Sequence, residues 1–248
     1  MKKRLRHLEN HCTDKARGCP EFPDTAKSSK PHAHVWYYEN YEPNFTCPHE
    51  RRIGGMGDGP KWVCDPHRIQ QKGSNCLVYS VGSNGDFNFE ESVFKEIHPD
   101  CEVHTFDPEM RGGNFGDKAP DKVHYHAWGF ENEVNAEALN ANGRRGKYKT
   151  MKQTIEELGH VGRVIDLFKI DCEGCEWSTY KEWFAGDVTL RQILVETHRV
   201  SEGADDFFER VQQEGYVTYH KEPNVKYSRG AGICTEWGLL KMDATFFK

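Results

Sequence analysis

The chain has 248 residues, a net charge of −6, 36% hydrophobic residues and 29% charged ones. That length suits one α/β domain with an irregular extension, and it is enough to bury a sizeable core. The acidic balance argues against a nucleic-acid backbone as the main partner, and no stretch approaches the roughly 20 apolar residues of a membrane span.

Residues 1–30 are polar, rich in Lys, Arg, Asp and Ser, and without sustained period, so they read as a loose or partly helical lead-in. The basic start (Lys2, Lys3, Arg4, Arg6) lacks the apolar run of a signal peptide. The expected location is therefore cytoplasmic, with a lumenal or secreted protein as the alternative if an upstream signal or anchor belongs to it. His32 and His34, followed by Val35–Tyr38, begin ordered structure and read as surface imidazoles rather than metal ligands. Residues 1–46 are taken as an extension and 47–248 as the domain, entered through the glycine-dense segment 47–67. There, Arg51 and Arg52 offer a carboxylate clamp, Asp58 a ligand contact, and Lys61–Cys64 a short strand; the alternative is a structural loop closing one end of the domain.

Of the nine cysteines, Cys47 and Cys64 flank this segment and suit a disulfide in an oxidising compartment. Cys172 and Cys175 have C-x-x-C spacing but no second pair nearby, so a zinc site is not expected. The remaining cysteines read as free buried thiols.

Leu77, Val78, Tyr79 and Val81 form a strand that breaks at Gly82-Ser83-Asn84-Gly85, and a helical segment with Val93, Phe94 and Ile97 follows. Glycines allow a sharp turn and a close ligand approach. The next strand, Val103–Phe106, ends in Asp107, about one strand–helix–strand unit downstream, where an acid can accept both hydroxyls of a ribose. A dinucleotide fingerprint wants a third glycine, but Phe87 and Asn88 stand in its place, and no Lys-Ser/Thr pair marks a P-loop. A nucleoside without phosphates fits better, of which S-adenosylmethionine is the common one.

Val123–Phe130 reads as a third strand that presents Trp128 to an adenine, residues 131–146 as a long loop, and Lys152–Leu158 as a short helix. Val164–Ile170 is a buried strand ending at Asp171-Cys172-Glu173-Gly174, and Glu176–Phe184 a helix. Leu190–Val195 is a strand ending in Glu196-Thr197-His198, and Ala204–Gln213 an amphipathic helix. Tyr216–His220 and Cys234–Met242 close the chain. The alternation predicts a doubly wound, Rossmann-like, mostly parallel sheet with an antiparallel C-terminal hairpin at its edge.

Ligands of such sheets lie outside the carboxyl ends of the strands, and four strand ends here are polar. Among the residues at these ends, His198 is the side chain whose ordinary pKa suits a base at neutral pH. Alternatively, Asp171 caps a helix and His198 holds its loop. Asp171, Glu173, Glu196 and His198 are also candidate ligands for Mg²⁺.

The arrangement resembles the class I S-adenosylmethionine-dependent methyltransferases, and more narrowly the FkbM-type group and its eukaryotic methyltransferase-like relatives. The run Lys169-Ile170-Asp171-Cys172-Glu173-Gly174-Cys175-Glu176, then Val195-Glu196-Thr197-His198, carries the resemblance, together with the glycine-rich Arg52–Cys64 segment. One departure is Ser80, two residues before the first glycine, where many of these enzymes have an acid. The resemblance implies a methyl donor on Gly82–Gly85 with Asp107 at the ribose and Asp171 beside it. It also implies a small-molecule or glycan acceptor methylated on oxygen near Asp171, Glu173 and His198. The alternatives are an NAD-dependent oxidoreductase and a catalytically silent nucleoside-binding domain.

Overall fold

The computed structural model describes residues 40–109, 113–143, 146–199, 201, 203–224 and 234–242. The lead-in, His32, His34 and the Val35–Tyr38 segment lie outside the described residues.

A hairpin of β1 (Glu50–Ile53) and β2 (Lys61–Cys64) is followed by α1 (Pro66–Gln70). Then come β3 (Leu77–Val81), α2 (Asn88–Glu96), β4 (Glu102–Phe106), β5 (Val123–His126) and β6 (Trp128–Phe130). The middle of the chain supplies α3 (Glu133–Ala141), β7 (Lys147–Lys149), α4 (Met151–Glu157) and β8 (Val164–Ile170). It closes with α5 (Cys175–Thr179), β9 (Thr189–His198), α6 (Ala204–Gln213), β10 (Tyr216–Pro223) and β11 (Cys234–Lys241).

Among the described residues, seven strands form the central sheet in the order β10-β11-β9-β8-β3-β4-β5. Neighbours from β9 to β5 pair in parallel, while β11 runs antiparallel to both β9 and β10. The hairpin is thus at the predicted end, but its second strand is inserted between β9 and β10, which leaves β10 as the edge. From β3 the chain moves outward through β4 to β5, then returns to β8 and moves the other way to β9. The switch point lies between β3 and β8, and that is where a ligand of an open α/β sheet binds.

Period-2 alternation divides β3 between two cores. Leu77, Tyr79 and Val81 face a cluster with Phe106, Phe168, Trp183, Phe207 and Trp237. Val78 faces another with Ile53, Val63, Phe89, Val93 and Leu167. Asp166, which interrupts the apolar run of β8, is buried and held by Lys72 (2.7 Å) and the Leu77 amide (3.2 Å).

Four local expectations change. The predicted third strand splits, because β6 leaves the main sheet to pair with β7. The predicted loop 131–146 contains α3, which Asn132 caps by accepting from the Asn135 amide. The helix expected over Glu176–Phe184 is only α5, followed by one 3₁₀ turn. Disulfides join Cys47 to Cys64, Cys76 to Cys101 and Cys172 to Cys175, so among the described residues only Cys234 is a free, buried thiol. The Cys76–Cys101 pairing follows from the sheet: each residue immediately precedes one of two adjacent parallel strands, and the Glu102 amide donates to the Cys76 carbonyl (2.8 Å).

Candidate active site

The tip of β3 is shaped by one close approach. Gly82 has φ +82°, and a Cβ there would lie 1.8 Å from the Asp171 carbonyl oxygen. Asp171 is bound to the same tip by its amide, which donates to the Val81 carbonyl (3.0 Å). Lys169 completes the lock by donating to the Gly82 carbonyl (3.0 Å). Gly82 is therefore required by the protein's own backbone as well as by any ligand above it.

Asp107 stands beside this turn and holds it. Its Oδ2 accepts from the Ser83 amide (3.0 Å) and the Asn84 amide (2.7 Å), and its Oδ1 accepts from the Glu109 amide (2.8 Å). The other amides of the turn are also taken: Gly82 donates to Phe106 (2.8 Å), Gly85 to Ser83 Oγ (3.3 Å) and Asp86 to the Ser83 carbonyl (2.9 Å). No amide from Gly82 to Asp86 is left for a phosphate, whereas Asp107 keeps lone-pair capacity for a hydroxyl. On the opposite face of β3, Ser80 Oγ and Glu90 Oε2 are buried without a hydrogen-bond partner.

Trp128, at the start of β6, lies 4.5 Å from the His126 ring and has Lys149 Nζ 3.7 Å from its own ring centroid. Its indole N–H donates to Thr154 (3.3 Å). These contacts fix the ring beside the tips of β4 and β5.

The strand ends of β8, β9 and β11 meet around Lys61 of β2. Lys61 Nζ lies 2.6 Å from Glu236 Oε1 and 3.3 Å from Asp171 Oδ2, with only 2% of its side chain exposed. Burial alone would lower its pKa, but Glu236, Asp171 and Glu196 outweigh burial and hold the ammonium charged. Burial would raise Asp171, yet Lys61, Lys169 and His198 keep its carboxyl below the usual range. Glu196 goes the other way: burial, then Asp171 and Glu236, push it up to about 8. Asn224 bridges Glu196 and Asp58, donating to each at 2.9 Å.

His198 is held from behind by Glu176, which accepts from its amide (2.7 Å) and lies 3.2 Å from Nδ1. Its Nε2 lies 3.7 Å from both Asp171 Oδ1 and Glu173 Oε2. Burial lowers its pKa, but Glu176, Asp171 and Glu196 prevail and raise it to about 9. The imidazole is thus charged at neutral pH and has no lone pair to offer, so the expected neutral base is not what this environment produces.

The Mg²⁺ expectation does not fit either. The Lys61 ammonium stands between Asp171 and Glu236, His198 carries a proton on each nitrogen, and Glu196 holds a proton at neutral pH. Glu173 points outward with its side chain 73% exposed. Arg51 and Arg52 are engaged within the protein, by Glu96 (2.7 Å) and Glu222 (3.0 Å), and form no free clamp. Lys61, Glu236 and Glu176 are the site residues that sequence reasoning missed.

A profile of a family described as "Methyltransferase domain" matches residues 2–241. The chain belongs to this methyltransferase family. It is 27% identical over 135 residues to "Probable methyltransferase-like protein 24" of Rattus norvegicus, which covers 53% of this chain and 35% of that relative. The chain thus spans about a third of that relative's length. Among solved structures it is similar to TrmN from Thermus thermophilus, with 12% identity, TM-score 0.35, and coverage of 71% of this chain and 47% of the other.

Proposed function

We propose that this methyltransferase uses S-adenosylmethionine and methylates an oxygen of a small molecule or glycan, within the FkbM-type group that the Lys169–Glu176 run resembles. One observation carries the reading. At the β3/β8 switch point, a glycine turn whose amides are all satisfied adjoins Asp107 on one side and the Asp171–Lys61–Glu236 cluster on the other. A turn with no amide to spare suits an unphosphorylated nucleoside better than a dinucleotide, which counts against NAD.

When bound, the donor supplies a methyl group already activated as a sulfonium. The protein's part is to align the acceptor and accept its proton. Gly82–Gly85 and Asp107 would hold the nucleoside, Trp128 would border its adenine end, and Asp171 would face its reactive end. Glu173 at the rim and Asp171 would orient the acceptor. The charged His198 would fix Asp171 and stabilise developing negative charge. Glu196, protonated at neutral pH, becomes able to take the hydroxyl proton once it ionises above about pH 8.

Residues 47–248 are retained as the catalytic domain, with residues 40–46 packed on it through Tyr41 stacked on Phe208 (4.0 Å). No helix among the described residues is long and apolar enough to cross a membrane. The three disulfides favour an oxidising compartment, which makes the lumenal or secreted alternative our reading and suits a glycan acceptor.

Calorimetry with S-adenosylmethionine, S-adenosylhomocysteine and NAD tests the donor, and labelled methyl transfer to a panel of hydroxylated acceptors tests the activity. Binding of NAD alone would make the protein an oxidoreductase. Tight S-adenosylhomocysteine binding without turnover on any acceptor would make it a silent module.

A further inference from the structure

A second polar cluster lies away from the carboxyl ends of the strands, in the half of the sheet where β4 and β8 begin. Glu102, the first residue of β4, directs one carboxylate oxygen at two imidazoles. Its Oε1 lies 3.0 Å from His104 Nε2 and 2.9 Å from His160 Nε2. All three atoms lie within 4.8 Å of one another.

The remaining polar atom of each residue is already oriented. His104 Nδ1 is 2.9 Å from His126 Nε2, His160 Nδ1 is 2.6 Å from the Tyr79 hydroxyl, and Arg163 donates to Glu102 Oε2 at 2.6 Å. Outer partners of this kind, on the far nitrogen of each histidine and the second oxygen of the carboxylate, are what aim ligands at a metal.

We propose that Glu102 Oε1, His104 Nε2 and His160 Nε2 form a site for a divalent transition ion, with Zn²⁺ the one that suits two imidazoles and a carboxylate. Tetrahedral Zn²⁺ with bonds of about 2.0–2.2 Å sets its ligand atoms roughly 3.3 Å apart, so two of the three edges need to open by only a few tenths of an ångström. The fourth position falls to water, because Glu102 is 29% exposed at its side chain and opens the cluster to solvent. Binding requires each imidazole to move its proton from Nε2 to Nδ1, with His126 presenting an unprotonated Nε2 and Tyr79 turning its hydroxyl hydrogen away so that its oxygen accepts. Arg163 reduces the affinity through its charge, but it occupies Oε2 alone and leaves Oε1 to the ion. Zinc binding here has no part in the methyl-transfer reading and would bear on the anchoring of β4 to the segment that enters β8.

The test is Co²⁺ and Zn²⁺ titration of the full chain after chelator treatment, read by the visible Co²⁺ band, its displacement by Zn²⁺, and elemental analysis. The expected result is one ion per chain that Glu102→Gln loses, and a rise in melting temperature with Zn²⁺ that the same variant lacks. Tyr79→Phe, which removes only an outer partner, should weaken binding about 10–100-fold and serves if Glu102→Gln does not fold. Because other histidines and cysteines occur along the chain, the variants decide. Zn²⁺ bound as tightly by folded Glu102→Gln or by Tyr79→Phe as by the wild type, or no binding by the wild type, would overturn the proposal and leave a hydrogen-bond network alone.

Discussion

Replacing Lys61 with Met tests the ionic core of the candidate site, because it removes a charge and keeps most of the side-chain volume. Lys61 lies between Glu236 at 2.6 Å and Asp171 at 3.3 Å, with almost no access to water. Breaking a buried ion pair from one side leaves uncompensated charge and costs about 3–5 kcal/mol. The sign with pH follows from the carboxyls that remain. Burial already raises Glu236 beside the ammonium, and without Lys61 its carboxyl binds a proton more tightly still in the folded state. The penalty is then larger at pH 8 than at pH 5, because it falls as pH drops through the raised folded pKa of Glu236. Guanidinium unfolding of wild type and Lys61→Met at both pH values measures this directly. Adding Glu236→Gln to Lys61→Met should recover much of the loss at pH 8. A loss equal at both pH values, and not relieved by the second change, would refute the reasoning and reduce Lys61 to a packing residue.

The other predictions concern the same site. With His198 raised from 6.5 to about 9, its charge contributes about 3 kcal/mol of stability, fully present below pH 6.5 and lost as pH rises through 9; the alkaline limb of stability should flatten in His198→Gln. Asp107→Asn should weaken S-adenosylhomocysteine binding about 10–150-fold by calorimetry, the value of a charge-assisted hydrogen bond of about 1.5–3 kcal/mol; an unchanged constant in a folded variant would remove Asp107 from the donor site. Gly82→Ala should destabilise the fold by about 3 kcal/mol or more in chemical denaturation, even without ligand, because the new Cβ meets the Asp171 carbonyl. Added Mg²⁺ should leave the rate of methyl transfer unchanged, since Lys61 already provides the cation between Asp171 and Glu236.

Local signals were legible wherever one segment carried both pattern and punctuation. The apolar run of β3 ends in glycines, and α6 shows its apolar face through Phe207, Phe208 and Val211 over the predicted span. Residues at parallel strand ends come together by topology, so Gly82, Asp107, Asp171 and Glu196 could be placed near one edge from order alone. Their charge states could not, because these depend on residues distant in the chain. Lys61 reaches Asp171 across 110 positions, and Glu176 meets His198 across 22. The helix α3 escaped because its apolar content is low, although Asn132 before Glu133 was a readable cap. The Cys76–Cys101 bridge escaped for want of a register, which only the pairing of β3 with β4 supplies.

The insertion of β11 between β9 and β10 has a consequence for the order of assembly during synthesis. Every strand of the sheet except β11 precedes residue 224, yet Glu236, the nearest carboxylate to Lys61, arrives only with β11. Until that strand is made, β9 presents an unpaired edge ending in Glu196-Thr197-His198, and Lys61 lacks its closest counter-charge. A nascent chain released at residue 224 would therefore expose a sticky strand edge at the same place where its ionic core is unfinished. Sheet closure and completion of the charge network become a single late event, so a ribosome-bound intermediate should bind chaperone at β9 and show no methyl transfer until the last strand docks.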